Sequence, residues 1–199
     1  ASPTGPARTQ PTIFSPWRVP VDTAMPLVHF LANGQYGLLI TNAGAGYSRW
    51  GNTLLTRWRA DTTSDDWGSW LYLQDLTNGA LWSATRQPLG KAAAQEEVVF
   101  HPHMAEFRRR EQEIATKLEI TDAGQDNVEL RRLTVKNDSA TPRTLRVTSY
   151  GEVVLVPLAT DQRHPAFVKL FIESEYVPNL NALIFRRRPR TAPSTSSSG

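Results

Sequence analysis

Leu27-Val-His-Phe-Leu-Ala-Asn33-Gly34-Gln-Tyr-Gly-Leu-Leu-Ile-Thr41 is the stretch that decides the fold. Asn-Gly between two apolar runs is the strongest short hairpin signal, because a type I′ turn needs positive φ at both central positions. Leu27–Leu31 and Gln35–Thr41 therefore read as paired antiparallel strands. The next residues, Asn42-Ala-Gly-Ala-Gly-Tyr47-Ser48-Arg49-Trp50, begin as a glycine-rich turn. Its Gly-x-Gly lacks the third glycine and the following helix that phosphate cradling requires, so a nucleotide loop is set aside.

Working outward, Leu54–Ala60 reads as a strand, with Arg57 and Arg59 on one face and Trp58 on the other. Asp61–Gly68 is a polar loop. Trp70–Asp75 is a strand with Trp70 and Tyr72 on one side and Leu71 and Leu73 on the other. Asn78-Gly79 predicts a second hairpin onto Leu81-Trp-Ser83, and Gln87-Pro-Leu-Gly90 ends the meander. Further strands are expected at Val98–His101, Ala105–Arg110, a segment lined by Ile114, Thr116, Leu118 and Ile120, Val128–Lys136, and a long Arg143–Val156. Pro157–Pro165 reads as a polar loop, followed by strands at Phe167–Glu175 and Ala182–Arg187. Residues 1–26 carry six prolines and read as an extended lead-in packing only through Ile13, Phe14 and Trp17. The Ser/Pro-rich tail 191–199 reads as disordered or as an added remnant. No segment has a sustained helical stripe, so residues 27–190 are expected to form one all-β, antiparallel sandwich.

Composition bounds the function. The chain has 199 residues, a net charge of +3 and no cysteine. Thiolate metal sites and disulfides are excluded, and so small a basic excess does not argue for nucleic acid. No apolar run is long enough to insert in a membrane, and the N-terminus lacks signal-peptide order.

Chemistry concentrates in the aromatics. Five of the six tryptophans (Trp50, Trp58, Trp67, Trp70, Trp82) fall within 27–88, interleaved with Arg49, Arg57 and Arg59. Aromatic faces beside guanidinium forks suit a sugar ring, whose C–H face stacks and whose hydroxyls need hydrogen-bonding partners; the competing reading is a tryptophan-rich core. Glycoside cleavage usually needs two carboxylates about 5–9.5 Å apart, and Glu173 with Glu175 share a strand face. His101-Pro-His103 lacks a third ligand for a metal. The runs Arg108–Arg110, Arg131-Arg132 and Arg186–Arg188 alternate faces on strands and form no single basic stripe.

The set Asn42-Ala-Gly-Ala-Gly-Tyr-Ser-Arg-Trp50, Thr56-Arg-Trp-Arg59, Asp66-Trp-Gly68, Tyr72-Leu-Gln-Asp75 and Leu81-Trp-Ser83 with Gln87-Pro88 resembles the N-terminal sandwich of the cellobiose/chitobiose phosphorylase family, glycoside hydrolase family 94. Ala105-Glu-Phe-Arg-Arg109, Val128-Glu-Leu-Arg-Arg132, Thr148-Ser-Tyr150, Glu152-Val-Val-Leu155, His164-Pro-Ala-Phe167 and Arg187-Arg-Pro-Arg190 bring the resemblance closer to the phosphorylase-like region of cyclic β-1,2-glucan synthases.

The resemblance implies a galactose-mutarotase-like supersandwich, incomplete at its C-terminal side. It implies a neighbouring (α/α)₆ barrel that holds the catalytic acid, with inorganic phosphate as co-substrate and no cofactor in this chain. Implied partners are a β-linked glucan or oligosaccharide, that barrel and a second copy in a homodimer, at or on the cytoplasmic side of an inner membrane. By motif position, Trp50, Arg49, Asp161, Arg163 and His164 are carried over as sugar-contacting, with no catalytic or metal residue. The sequence departs from the family's pattern at Gln74, at Glu111-Gln112 in place of an Asp-Gly turn, and at Val168-Lys169. An autonomous carbohydrate-binding module and a dimerisation domain are the alternative readings.

Overall fold

The computed structural model describes residues 15–61 and 63–189, so Ile13, Phe14, Arg190 and the tail 191–199 lie outside the described residues. Fifteen strands are described: β1 (Trp17–Val19), β2 (Val28–Ala32), β3 (Tyr36–Thr41), β4 (Gly46–Trp50), β5 (Thr53–Thr56), β6 (Trp70–Asp75), β7 (Leu81–Ser83), β8 (Gln95–His101), β9 (Met104–Glu111), β10 (Ile114–Ala123), β11 (Asp126–Asn137), β12 (Leu145–Tyr150), β13 (Val153–Pro157), β14 (Ile172–Val177) and β15 (Ala182–Arg187). They form sheets ordered β1-β8-β9-β10-β11, β13-β5-β4-β3-β2 and β12-β6-β7, plus the hairpin β14-β15, all antiparallel.

Period-2 alternation builds the core. Leu38 and Ile40 of β3, Leu73 of β6, Phe107 of β9, and Ile114, Leu118 and Ile120 of β10 turn inward, and a single apolar cluster joins the first sheet to the other two. The supersandwich architecture expected from the sequence is what the chain adopts. Thr116 is buried on the same face as Ile114, Leu118 and Ile120, as the alternation required.

Several local expectations are corrected. The lead-in is more than a tether: Trp17–Val19 pairs with β8, and Val19 enters the core. The Asn33-Gly34 hairpin forms, but only Gly34 of the pair has positive φ. Asn33 Oδ1 instead accepts from the Gln35 and Tyr36 amides, an Asx-type turn. The long strand Arg143–Val156 is two strands in different sheets, broken at Gly151-Glu152. The strand from Leu54 stops at Thr56; Arg57, just past it, still donates its backbone N–H to Glu152 O at 2.8 Å and carries its side chain into buried ion pairs.

The polar loop 157–165 and the start of the strand predicted at Phe167 are helical: α1 (Leu158–Arg163) and α2 (Pro165–Lys169). Pro165 suits the first position of α2. Buried Asp161 and Val168 tie the two short helices down, a tertiary anchor that an apolar run such as Phe167–Ile172 does not reveal by periodicity.

Gly46 shows why the Asn42–Gly46 turn needs glycine. Its φ is +149°, and a Cβ there would sit 1.9 Å from the Leu39 carbonyl oxygen. Asn42, also buried, donates to Pro20 O (2.8 Å) and accepts from Leu27 N (2.9 Å), so this turn holds the lead-in to β2.

Candidate functional site, a groove beneath two short helices

The outward face of β13-β5-β4 carries its own small apolar cluster of Leu54, Val154, Val156 and Val168, with Tyr47 against it. Helices α1 and α2 lie over this cluster. Between α1 and the chain leaving β5 opens a groove of about 360 Å³ lined by Tyr47, Leu54, Trp58, Arg59, Leu158 and Gln162, with Asp161 at its base.

Arg57 fixes the groove's wall. Its side chain is only 3% exposed, and Asp161 facing it is equally buried. Nη2 donates to Asp161 Oδ1 at 2.6 Å and to Pro165 O at 3.0 Å, Nε reaches Asp161 Oδ1 at 3.1 Å, and Nη1 donates to Glu152 Oε2 at 2.8 Å. Lys169 adds a second cation to Glu152 at 3.1 Å. One planar guanidinium thus ties the end of β5 to β13, α1 and α2 through charge-assisted bonds.

The groove's aromatic side is Tyr47 and Trp58, with ring centroids 5.4 Å apart and planes tilted by 38°. Trp58 Nε1 is buried without a hydrogen-bond acceptor, so the side chain offers the groove its ring face rather than its N–H. Arg59 lies with its guanidinium 5.1 Å from the Trp67 ring, a cation–π contact that orients it.

Each residue predicted from the sequence has a definite place. Asp161 is at the groove, held by Arg57. Arg163 ends α1 and His164 joins α1 to α2; both are exposed, and His164 meets Phe167 edge-on at 6.5 Å. Trp50 is 53% exposed at the end of β4. It pairs with Thr53, which in turn pairs with Pro157 at the entrance to α1, so Trp50 lies two strands from the helix pair. Arg49 and Trp50 are neighbours on a strand and project to opposite faces. Arg49 shares the groove's face of the sheet, 5.9 Å from the centroid of Phe30. Trp50 projects from the other, beside Tyr36 in the register. The structure therefore gathers Asp161, Arg163 and His164 on the helix pair and places Trp50 on the opposite face of the sheet, away from the groove.

Arg57, Tyr47, Trp58 and Gln162 were not singled out as site residues. The signal for Arg57 lay in Thr56-Arg-Trp-Arg59, but strict alternation made it a face-mate of Arg59 rather than a buried hub. Glu173 and Glu175 each engage an arginine, Arg188 at 2.9 Å and Arg186 at 3.0 Å, on an exposed hairpin. The rings of His101 and His103 are 6.0 Å apart, and among the described residues no cluster of three or more metal-ligating side chains forms.

Comparison with known proteins agrees with this architecture. The family model described as "Glycosyl hydrolase 94, supersandwich domain" matches residues 17–197. Cyclic beta-(1,2)-glucan synthase NdvB of Rhizobium meliloti (strain 1021) is 34% identical over 145 residues, covering 73% of this chain and 5% of that protein. N,N'-diacetylchitobiose phosphorylase of Vibrio furnissii is 28% identical over 149 residues, 72% of this chain and 18% of the enzyme. The enzyme of the same name from Vibrio proteolyticus is 25% identical over 165 residues, 80% of this chain and 20% of the enzyme. The chain thus spans a fifth or less of the length of each of these relatives.

Proposed function

Because the chain belongs to the glycosyl hydrolase 94 supersandwich family, we propose that it is a non-catalytic, carbohydrate-contacting sandwich domain of a cyclic β-1,2-glucan synthase-like protein, set beside a glycoside phosphorylase barrel. The observation that carries this reading is the groove under α1, where the Tyr47–Trp58 pair and the guanidinium donors of Arg59 converge. A pyranose ring stacks on such faces and fills such donors. Arg163 and His164 supply exposed hydrogen-bonding groups on the helix pair, Arg49 extends the groove's face along β4, and Asp161 acts by positioning α1.

The reading is tested by titrating the chain with β-1,2-linked gluco-oligosaccharides by calorimetry. Tyr47→Ala, which removes one of the groove's two aromatic faces, is expected to leave the chain folded and to weaken binding about tenfold, as loss of one stacking platform does. Unchanged affinity would remove Tyr47 from the contact. Incubated with the same glucan and phosphate, the chain should release no sugar phosphate; sustained release would contradict the non-catalytic assignment.

A dimerisation role is the second reading. It is favoured by β12, which among the described residues is an edge strand paired to β6 and exposes Val147 and Tyr150. Sedimentation showing a monomer at high concentration would count against it.

A further inference from the structure

A second concavity lies on the outward face of β8-β9-β10-β11, and the saccharide reading makes no use of it. Alternation splits the run Arg108-Arg109-Arg110: Arg109 is buried and pairs with Glu96 at 2.7 Å, while Arg108 and Arg110 share the opposite face. Sheet pairing then collects cations that sequence separation had dispersed. Arg108 is the register partner of Lys117, while Arg110 pairs with Ala115, and Ala115 with Lys136. The methyl group of Ala115 forms a low floor between two long cationic side chains. A groove of about 520 Å³ opens there, with Thr134 at its side.

Charge is unequally matched on this face. Glu97 serves both Arg18 (2.6 Å) and Arg108 (3.5 Å); Asp138 serves both Arg110 (2.5 Å) and Lys136 (2.5 Å). Glu119 serves both Lys117 (3.2 Å) and Arg132 (2.7 Å), and Glu106 takes the second bond of Arg108 at 2.8 Å. Six cations therefore share four carboxylates. A carboxylate divided between two cations leaves guanidinium and ammonium donors over, and these face the groove. A single small anion gains little at such an exposed surface. The backbones of Arg110 and Lys136 stand two strand spacings apart, but their head groups converge on Asp138. An elongated anion spans from that pair to the Arg108–Lys117 pair, two residues or about 7 Å along the strands.

We propose that this face binds a soluble ligand carrying two or more phosphate groups, held by the forks of Arg108 and Arg110 and the ammonium groups of Lys117 and Lys136. Guanidinium groups match phosphate oxygens two at a time, and the excess positive charge favours a multiply charged partner. The proposal is independent of the saccharide groove, which lies on a different sheet.

The test is a titration of the chain with sodium tripolyphosphate at low ionic strength, followed through backbone amide shifts. Saturable shifts centred on Ala115, Lys117 and Thr134 are expected, weakening steeply with added salt. The double substitution Arg110→Gln with Lys136→Gln should weaken binding about tenfold or more. Because it also leaves Asp138 unpaired, Lys117→Gln provides a second handle, with a loss of about threefold or more expected. Arg146→Gln, on β12 and outside both the groove and its carboxylates, should change affinity by less than about twofold. Shifts that never saturate, or an affinity untouched by the groove substitutions, would overturn the proposal and leave the face as a solvated charge lattice. Adsorption to phosphatidylglycerol vesicles without saturable tripolyphosphate binding would likewise overturn the assignment of a soluble ligand.

Discussion

Replacing Arg57 by alanine removes the only cation that, among the described residues, meets the buried carboxylate of Asp161. An uncompensated buried charge costs about 3–5 kcal/mol, so the expected outcome is a large fall in thermal stability. Arg57→Lys should recover little of it, since one ammonium cannot serve Asp161, Glu152 and the Pro165 carbonyl from a planar fork. Denaturant titration of the two variants measures both effects. A second residue sets a pH dependence. Burial pushes the Asp65 carboxyl up to about 6, although the Thr41 hydroxyl donates to it at 2.6 Å and pulls the other way. The folded chain then holds this proton to higher pH than the unfolded chain, whose carboxyl titrates near its usual value. The Asp65 contribution to stability therefore falls as pH rises from about 4 to about 6 and stays low above that. In Asp65→Asn that part of the slope should vanish, as read from melting temperatures across the interval; an identical profile in the variant would contradict the assignment. Motif position pointed to Asp161 as a sugar contact, whereas the structure buries it against Arg57, a pairing that was not legible. The partners of Arg57 lie about a hundred residues away in sequence, and no local pattern encodes an ion pair of that range.

At the scale of elements, turn chemistry was legible where a side chain or a glycine dictates it. Asn33-Gly34 and Asn78-Gly79 both close hairpins. The link between β9 and β10 was harder to read, because Gln112 and Glu113 both adopt positive φ, 45° and 66°, without a glycine. Left-handed backbone costs an ordinary residue about 1–2 kcal/mol. Glu113→Gly is therefore expected to raise stability by about 0.5–1 kcal/mol after glycine's own entropic penalty, checked by chemical denaturation. Gln112 is left in place because its Oε1 accepts from Asn78 at 2.8 Å. The helices α1 and α2 escaped the sequence for the opposite reason. Each is under two turns long, too short to show a periodicity, and each exists because Asp161 or Val168 is anchored against β13 and β5.

At the scale of the whole molecule, the all-β antiparallel class was legible because alternation and turn residues recur along the chain. The partition into sheets was not. Arg143–Val156 alternates as one strand, yet the chain changes sheets at Gly151-Glu152, and only the neighbours β6 and β5 decide that. That crossing brings β13 beside β5 and carries the two helices over the outer face, so the groove is a product of topology rather than of any motif. Among the described residues no helix is long and apolar enough to cross a membrane. As proposed above, the groove takes a sugar on the ring faces of Tyr47 and Trp58 and lends no reactive acid. The most direct test is calorimetric titration of Trp58→Ala against the unaltered chain with a β-1,2-linked gluco-oligosaccharide. Alanine removes one stacking face, so an affinity about five- to tenfold weaker, at retained fold, is predicted. Equal affinity in the two proteins, or no saturable binding to either, would contradict it.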